Sequence, residues 1–551
     1  METPQTDYNI ARVLQDLAVE LEHKIALTAR RGTTWDSWTF SELGRITAGY
    51  HSSLLAQGVV PGDRVMLMVR PSVEFIALTF ALFQLGAVVI LIDPGMGFNN
   101  LLRCIGSVRP DVLVGIPKAV LVSLLFRKPF QSVRLRICVE GWFWWRGASL
   151  PPAQHREEGT PIDEHPETHA ARFNALAAII FTTGSTGPPK GVQYTHGIFH
   201  TQLQYIRDYF GISSSDIDQP GFPLFGLFSI ALGARAVIPD MDPTRPAQVD
   251  PAKFVASLQK YQVTYSFGSP AIWQVVSKYC LEHAITLGLQ KILMAGAPVP
   301  GHLIEELQTV LPDDAKIFTP YGATECLPIV CLEGREIVEQ TWKQTVLGAG
   351  TCVGRALPGI EVLIIEPSEG PVSRWRDVSV LNNGTIGEIV VRGPVVTRAY
   401  DGNETENQMA KIEDTGTFWH RMGDVGYLDD QKRLWFCGRK AHRVLAGDTL
   451  FYSVMCEAIF NQHSAVFRSA LVGVGQKGAQ RPVIVVEPVR AIQNQEQLFR
   501  ELRLLAKSHS HTRAIETFLV HGAFPVDIRH NAKIFREKLA DWAAGQLGEG
   551  R

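Results

Sequence analysis

Three short runs of this sequence carry the residue types that phosphate chemistry requires. The first is TTGSTGPPKG, residues 182–191, entered directly from the apolar run AAIIFTT. Thr182, Thr183, Ser185 and Thr186 offer hydroxyl donors. Gly184 and Gly187 let backbone N–H groups approach an anion closely, and Lys190 adds a positive charge. The spacing is not that of a Walker loop, which needs Gly-Lys-Ser/Thr. A bare glycine loop after a strand is usually only a turn. The ordered set of hydroxyls, glycines and Pro-Lys-Gly is what makes this one specific for a polyphosphate such as that of ATP. The second run is YGATEC, residues 321–326, after the strand-like KIFT. Thr324 can donate to phosphate, and Glu325 is a hard oxygen ligand suited to Mg²⁺. A lone glutamate on a loop is otherwise a solvated charge. The third run is GDVGYLDD with Asp424, followed by CGRK with Arg439. An aspartate can accept both hydroxyls of a ribose, and Arg439 can pair with it or with phosphate. The same residues would also make a hairpin turn with a surface ion pair.

The elements that must hold these runs alternate between helix and strand through the first two thirds of the chain. PSVEFIALTFALFQ and PAKFVASLQKY are helix-like; AVVILID, LAAIIFTT and VTYSFGS are strand-like. Such alternation predicts an α/β fold with mainly parallel, buried strands. The uncharged stretch 75–92 is nominally long enough to span a bilayer. Gly86 divides it into a helix-like half and a β-branched half, so a buried helix and a buried strand are expected, and no transmembrane segment. From about residue 380 short strands with turn signals take over, TIGEIVVRG and RLWFCGR, and a boundary is expected near Gly438 to Lys440. Beyond it, SVMCEAIFNQ, RSALVGVG, RPVIVVEPV and NQEQLFRELRLLAKS predict a small α+β domain. The expected organisation is a large N-terminal domain over 1–438, with mainly parallel sheets, helices and a β-rich subdomain, and a small domain over 439–551. The segment 139–160, with Trp142 to Trp145, is read as a surface insertion. A chain of 551 residues is too long for one core. Its net charge of −2 carries no nucleic-acid footprint. Eight cysteines without a CxxC pair or a Cys/His cluster predict neither disulfide framework nor zinc site, and fit a reducing, cytoplasmic compartment. The N-terminus lacks a basic segment followed by an apolar one, so no signal peptide is expected.

The three runs, in this order and at these separations, resemble the adenylate-forming superfamily of acyl-CoA synthetases, peptide-synthetase adenylation domains and firefly luciferase. The resemblance covers essentially the whole chain and extends to GVVPGDRVML and QLGAVVILIDP near the start. It implies activation of a carboxylic acid by ATP and Mg²⁺ in a site closed by the small C-terminal lid. Residues 182–191 would hold the β- and γ-phosphates. Gly296, Ala297 and Pro298, in MAGAPVP, would flank adenine with Tyr321. Thr324 and Glu325 would serve phosphate and Mg²⁺, and Asp424 and Arg439 the ribose. The closing Pro…Gly-Lys…Arg pattern of the family matches PVDIRHNAKIFR, with Asn531-Ala532 in place of the usual glycine approach. Lys533 is then the adenylation lysine, steadying substrate carboxylate and α-phosphate as pyrophosphate leaves.

Two departures narrow the resemblance. After GRK the family commonly continues with an acidic residue and then Ile-Lys, which serve thioester formation. Here the run is GRKAHRVLAGD, with Ala441 and Leu445 at those positions. Where the acyl-pocket segment often carries a histidine, FPLFGLF places Gly226, which is expected to widen the pocket. The run FPLFGLFSIALGARAVIPDMDPTRPAQVDP, with the tail DIRHNAKIFREKLADWA, resembles the β-lactone synthetases of bacterial long-chain olefin biosynthesis. That branch activates a 2-alkyl-3-hydroxyalkanoate, whose own hydroxyl displaces AMP and closes a lactone. A nucleophile inside the substrate makes a thioester lid unnecessary. The resemblance also implies assembly with a 3-keto reductase and a β-lactone decarboxylase. The alternative is a long-chain acyl-CoA or acyl-carrier ligase. His196 and His442 are the visible candidates for a base, although a lone histidine is more often a packing residue.

Overall fold

The computed structural model describes residues 8–139, 147–151, 153, 166–182, 188–526 and 534–549. Thr183, Gly184, Ser185, Thr186, Gly187, Lys533 and the aromatic run Trp142 to Trp145 lie outside the described residues.

The apolar stretch near residue 80 folds as its pattern requires. Val73–Gln84 is a helix buried on every side, with the Ser72 hydroxyl accepting from the Phe75 N–H at its start. Gly86 takes a left-handed φ of +73°, and a Cβ there would lie 2.3 Å from the His169 ring. Only glycine can make this stop. Val88–Leu91 follows as a strand. It joins a sheet that contains, among the described residues, seven strands. The pairs are parallel except the last, Leu176–Phe181 against Gly191–Thr195, which run antiparallel on either side of residues 182–190.

A second, larger sheet changes character along its width. Ile25–Arg31, Arg235–Val237, Ile217–Asp218, Tyr265–Gly268, Lys291–Met294 and Lys316–Ala323 pair parallel. From Lys316–Ala323 onward every pair is antiparallel, through Cys326–Glu333, Thr351–Ala356, Leu434–Arg439 and Thr417–Leu428 to Gly387–Arg392. This antiparallel half is the β-rich subdomain. The chain is α/β, and its C-terminal part is a smaller layer. Val466–Val474 and Arg481–Pro488 pair antiparallel there, and Thr517–Val520 adds in parallel. The helices Ser453–Phe460, Gln495–Lys507 and Arg536–Gln546 accompany this sheet. Among the described residues no helix is long and apolar enough to cross a membrane.

The two parts meet through a buried charge cluster. Arg421 and Glu388 form a bidentate pair, with side chains 2% and 1% exposed. The Lys440 ammonium reaches the same carboxylate at 3.0 and 3.1 Å and donates to the Ser368 carbonyl at 2.8 Å. Lys440 opens the short turn Lys440–His442 that leads into the C-terminal part. Removing one partner would leave two buried cations uncompensated. Glu388→Ala is therefore expected to destabilise the chain by roughly 3–5 kcal/mol, read as a lower urea midpoint; an unchanged midpoint would contradict the cluster's structural role.

Candidate active site

Thr324 and Glu325 occupy a tighter place than a loop. The strand that begins with KIFT runs on to Ala323, and Ala323 pairs with Cys326. The two residues are thus the tip of a two-residue hairpin. The tip is pinned from behind. Thr397 donates to the Glu325 carbonyl with both its N–H and its hydroxyl, each at 2.8 Å. The Tyr194 hydroxyl donates to the Thr324 carbonyl at 2.6 Å. The Glu325 carboxylate accepts from the Tyr400 hydroxyl at 2.7 Å. Burial, with Glu325 beside it, pushes the Tyr400 hydroxyl far up, so it stays protonated and donates. Lys411 donates to the Thr397 carbonyl at 2.5 Å, and burial brings its ammonium down to about 8.

The base of the glycine-rich run is closed by its own ends. Thr182 N–H donates to the Lys190 carbonyl, and Lys190 N–H to the Thr182 hydroxyl, both at 3.0 Å. The Lys190 ammonium pairs with Glu406 at 2.5 Å and lies 5.0 Å from the centre of the Tyr400 ring. One aromatic ring therefore connects the lysine of the first run to the glutamate of the second.

Asp424 is not at a turn, and its carboxylate is buried. It lies within the strand Thr417–Leu428, directly opposite Arg439 on Leu434–Arg439. One carboxylate oxygen accepts from Arg439 at 2.7 Å and the other from the Tyr321 hydroxyl at 2.5 Å. Asp424 holds the Arg439 guanidinium above its ordinary range. Burial, then Asp424, raises the Tyr321 hydroxyl well above a free phenol.

These groups face one cavity of about 1970 Å³. Thr182, Lys190, Gly296, Ala297, Pro298, Tyr321, Thr324, Glu325, Asp424 and Arg439 all line it. Every described residue expected from the sequence to hold phosphate, Mg²⁺, adenine or ribose is therefore brought to one place. Gly296 follows the strand Lys291–Met294 with φ +99°, turning the backbone of MAGAP along the wall. Phe467, Arg468, Ile534 and Arg536 add a wall from the C-terminal part. One part of the lining is apolar and aromatic, including Phe80, Phe83, Phe199, Leu203, Phe225 and Phe228. Sequence reasoning missed Tyr194, Thr397, Tyr400, Glu406 and Lys411. They stand in no motif, and Glu325 meets Tyr400 across 75 positions.

One expectation needs correction. Gly226 does not widen the pocket. It starts the helix Gly226–Ala231, and a Cβ on it would meet Ile238 and Pro220 at 3.5 Å. That direction is toward the core, while Leu224, Phe225, Leu227 and Phe228 turn to the cavity. His196 is no base. It is buried, and its Nδ1 accepts from the Ile10 N–H at 3.2 Å. Burial brings its pKa down to about 4. His442 does line the cavity, with Nε2 3.6 Å from Glu537, and burial keeps it below the usual histidine range. Ala441, in the turn Lys440–His442, and Leu445, in the strand Val444–Ala446, are both exposed and uncharged.

Residues 14–401 match the family model of the AMP-binding enzymes, which covers more than half of the chain. The chain belongs to that family and is an adenylate-forming enzyme of α/β architecture. It is 42% identical to an olefin beta-lactone synthetase of Stenotrophomonas maltophilia over 98% of both chains. Identity to an olefin beta-lactone synthetase of Xanthomonas campestris pv. campestris is also 42%, again over 98% of each. Among solved structures it resembles the O-succinylbenzoate coenzyme A synthetase of Bacillus subtilis in complex with ATP and magnesium ion. The TM-score is 0.73 at 22% identity, over 96% of this chain and 99% of that one. The fold is shared; at that identity the likeness carries no more.

Proposed function

We propose that this chain is an ATP-dependent β-lactone synthetase acting on a long-chain 2-alkyl-3-hydroxyalkanoate. The observation that carries this reading is the near-full-length likeness to two olefin beta-lactone synthetases. The uncharged side chains at Ala441 and Leu445 support it against an acyl-CoA or acyl-carrier ligase, which needs charged groups at those two positions for thioester formation.

The residues suit ATP and Mg²⁺. Mg²⁺ takes one or two carboxylates, with phosphate oxygens and waters completing its shell. Glu325 offers one carboxylate at a rigid hairpin tip, and the Tyr400 bond engages only one of its oxygens. Bound there, Mg²⁺ would neutralise charge on the phosphates. Lys190 and residues 182–187 hold the β- and γ-phosphates, with Thr324 donating beside them. Gly296, Ala297, Pro298 and Tyr321 flank the adenine, and Asp424, oriented by Arg439, accepts the ribose hydroxyls. Lys533 steadies the carboxylate and α-phosphate. The lid is the part 439–551, turning at Lys440–His442. The aromatic end of the cavity takes the alkyl chains and excludes water from the activated acid.

Chemistry then runs in two balanced steps. The carboxylate oxygen attacks the α-phosphorus and pyrophosphate leaves. The 3-hydroxyl oxygen attacks the acyl carbon, the bond to AMP breaks, and the hydroxyl proton is released. The second step needs only that the site hold hydroxyl and carbonyl side by side, for which effective molarities are high. On this reading the enzyme works in the cytoplasm in long-chain olefin and lipid metabolism, between a 3-keto reductase and a β-lactone decarboxylase with which it assembles.

The test compares a 3-hydroxy acid with its 3-deoxy analogue, each with ATP and Mg²⁺, with and without CoA. Steady AMP release from the hydroxy acid alone, indifferent to CoA, is expected. Turnover that requires CoA with either acid would replace this reading by a ligase.

A further inference from the structure

Part of the apolar lining of the cavity comes from a piece of chain far from any nucleotide motif. Ile10 lines the cavity with Thr79, Phe80, Phe83 and Phe199, and it is buried. Its place relative to the reacting end follows from a series of ring contacts. The Tyr194 hydroxyl holds the Thr324 carbonyl, and the Tyr194 ring stacks on Phe199 at 5.2 Å. Phe199 meets Phe83 at 5.7 Å, and the Phe83 carbonyl accepts from Asn9 at 2.6 Å. Three residues in contact thus separate the hairpin tip from the arm that carries Ile10.

That arm is held by polar contacts rather than by secondary structure. Asn9 is fully buried, donates to the Phe83 and His169 carbonyls, and accepts from the Ala11 N–H at 2.9 Å. The Ile10 N–H goes to His196 Nδ1 at 3.2 Å, which requires a neutral ring with its proton on Nε2. The Tyr8 hydroxyl meets His200 Nδ1 at 2.7 Å, and the Tyr8 N–H reaches the Ala171 carbonyl at 2.6 Å. Backbone and flanking side chains are all committed on both sides of Ile10. Its side chain is therefore fixed as wall.

We propose that Ile10 is the end wall for one alkyl chain of the substrate, and that its size sets the longest chain this branch of the cavity accepts. The proposal rests on the function proposed above. A chain that stops short of Ile10 leaves apolar surface without contacts, and a longer one must displace a pinned backbone. Each methylene contributes about 0.8 kcal/mol when buried, so a wall moved by two carbons should change chain preference roughly tenfold.

The test uses the full chain with Ile10→Ala and Ile10→Trp. Saturated fatty acids of increasing length probe binding by calorimetry without turnover, and hydroxy acids varied in one arm at a time probe kcat/KM. Ile10→Ala should favour acids about two carbons longer by roughly tenfold, Ile10→Trp should favour shorter ones, and only one arm should respond. Wild-type length profiles in both variants would overturn the proposal. If Ile10→Ala does not fold, the near-isosteric Ile10→Val and Ile10→Met give the same reading, with smaller shifts in opposite directions expected. A wild-type chain that binds fatty acids but forms no lactone would sink the function reading and leave the wall test intact.

Discussion

Lys533→Ala is expected to slow acyl-AMP formation by roughly 10²–10³-fold while the chain still binds ATP. In the proposed site the lysine would act on charge that builds up as the carboxylate meets the α-phosphorus, so its removal should lower kcat more than ATP affinity. The nucleotide should keep its other proposed holds: Lys190, the hairpin tip and Asp424. Pyrophosphate exchange into ATP, driven by the hydroxy acid, reads this half-reaction alone. Full exchange in the variant would remove Lys533 from the site.

Asp424→Ala should lower kcat/KM for ATP by at least about 10²-fold. A carboxylate that accepts two ribose hydroxyls loses two charge-assisted hydrogen bonds, each about 1.5–3 kcal/mol. The substitution also removes the acceptor that Tyr321 and Arg439 share. The loss should appear chiefly in KM, because ribose is bound equally in ground and transition states. A nucleotide lacking both ribose hydroxyls should bind wild type and variant alike. Discrimination against that analogue retained in Asp424→Ala would contradict the assignment.

Much of the site was legible because it is built from short runs. The hydroxyl-and-glycine run after LAAIIF, the YGATEC tip and the Asp424 strand each carry their candidate chemistry within ten residues, and strands deliver the tip, Asp424 and the two ends of the first run, Thr182 and Lys190, to one cavity. The buried helix and strand around Gly86 were legible because the change in hydrophobic period is local. What was missed depends on distance along the chain. Tyr400, Thr397 and Lys411 support Glu325 from another strand and loop, and nothing in RAYDG or AKIED announces it. The Arg421–Glu388–Lys440 cluster reads as ordinary surface charge until three segments meet. Gly226 was misjudged for a further reason. A motif gives the position of a missing side chain but not its direction, and the turn ahead of Gly226–Ala231 points that direction into the core. Ile10 was out of reach altogether, since only the fold brings the arm to the cavity wall.

The central claim is ring closure by the substrate's own hydroxyl, and an oxygen label tests it most directly. A 3-hydroxy acid carrying ¹⁸O in both carboxylate positions is turned over with ATP and Mg²⁺ in the absence of CoA. One label is expected in AMP, one in the lactone carbonyl, and an unlabelled ring oxygen supplied by the 3-hydroxyl. AMP without label, or labelled AMP accompanied only by the hydrolysed acid, would contradict it.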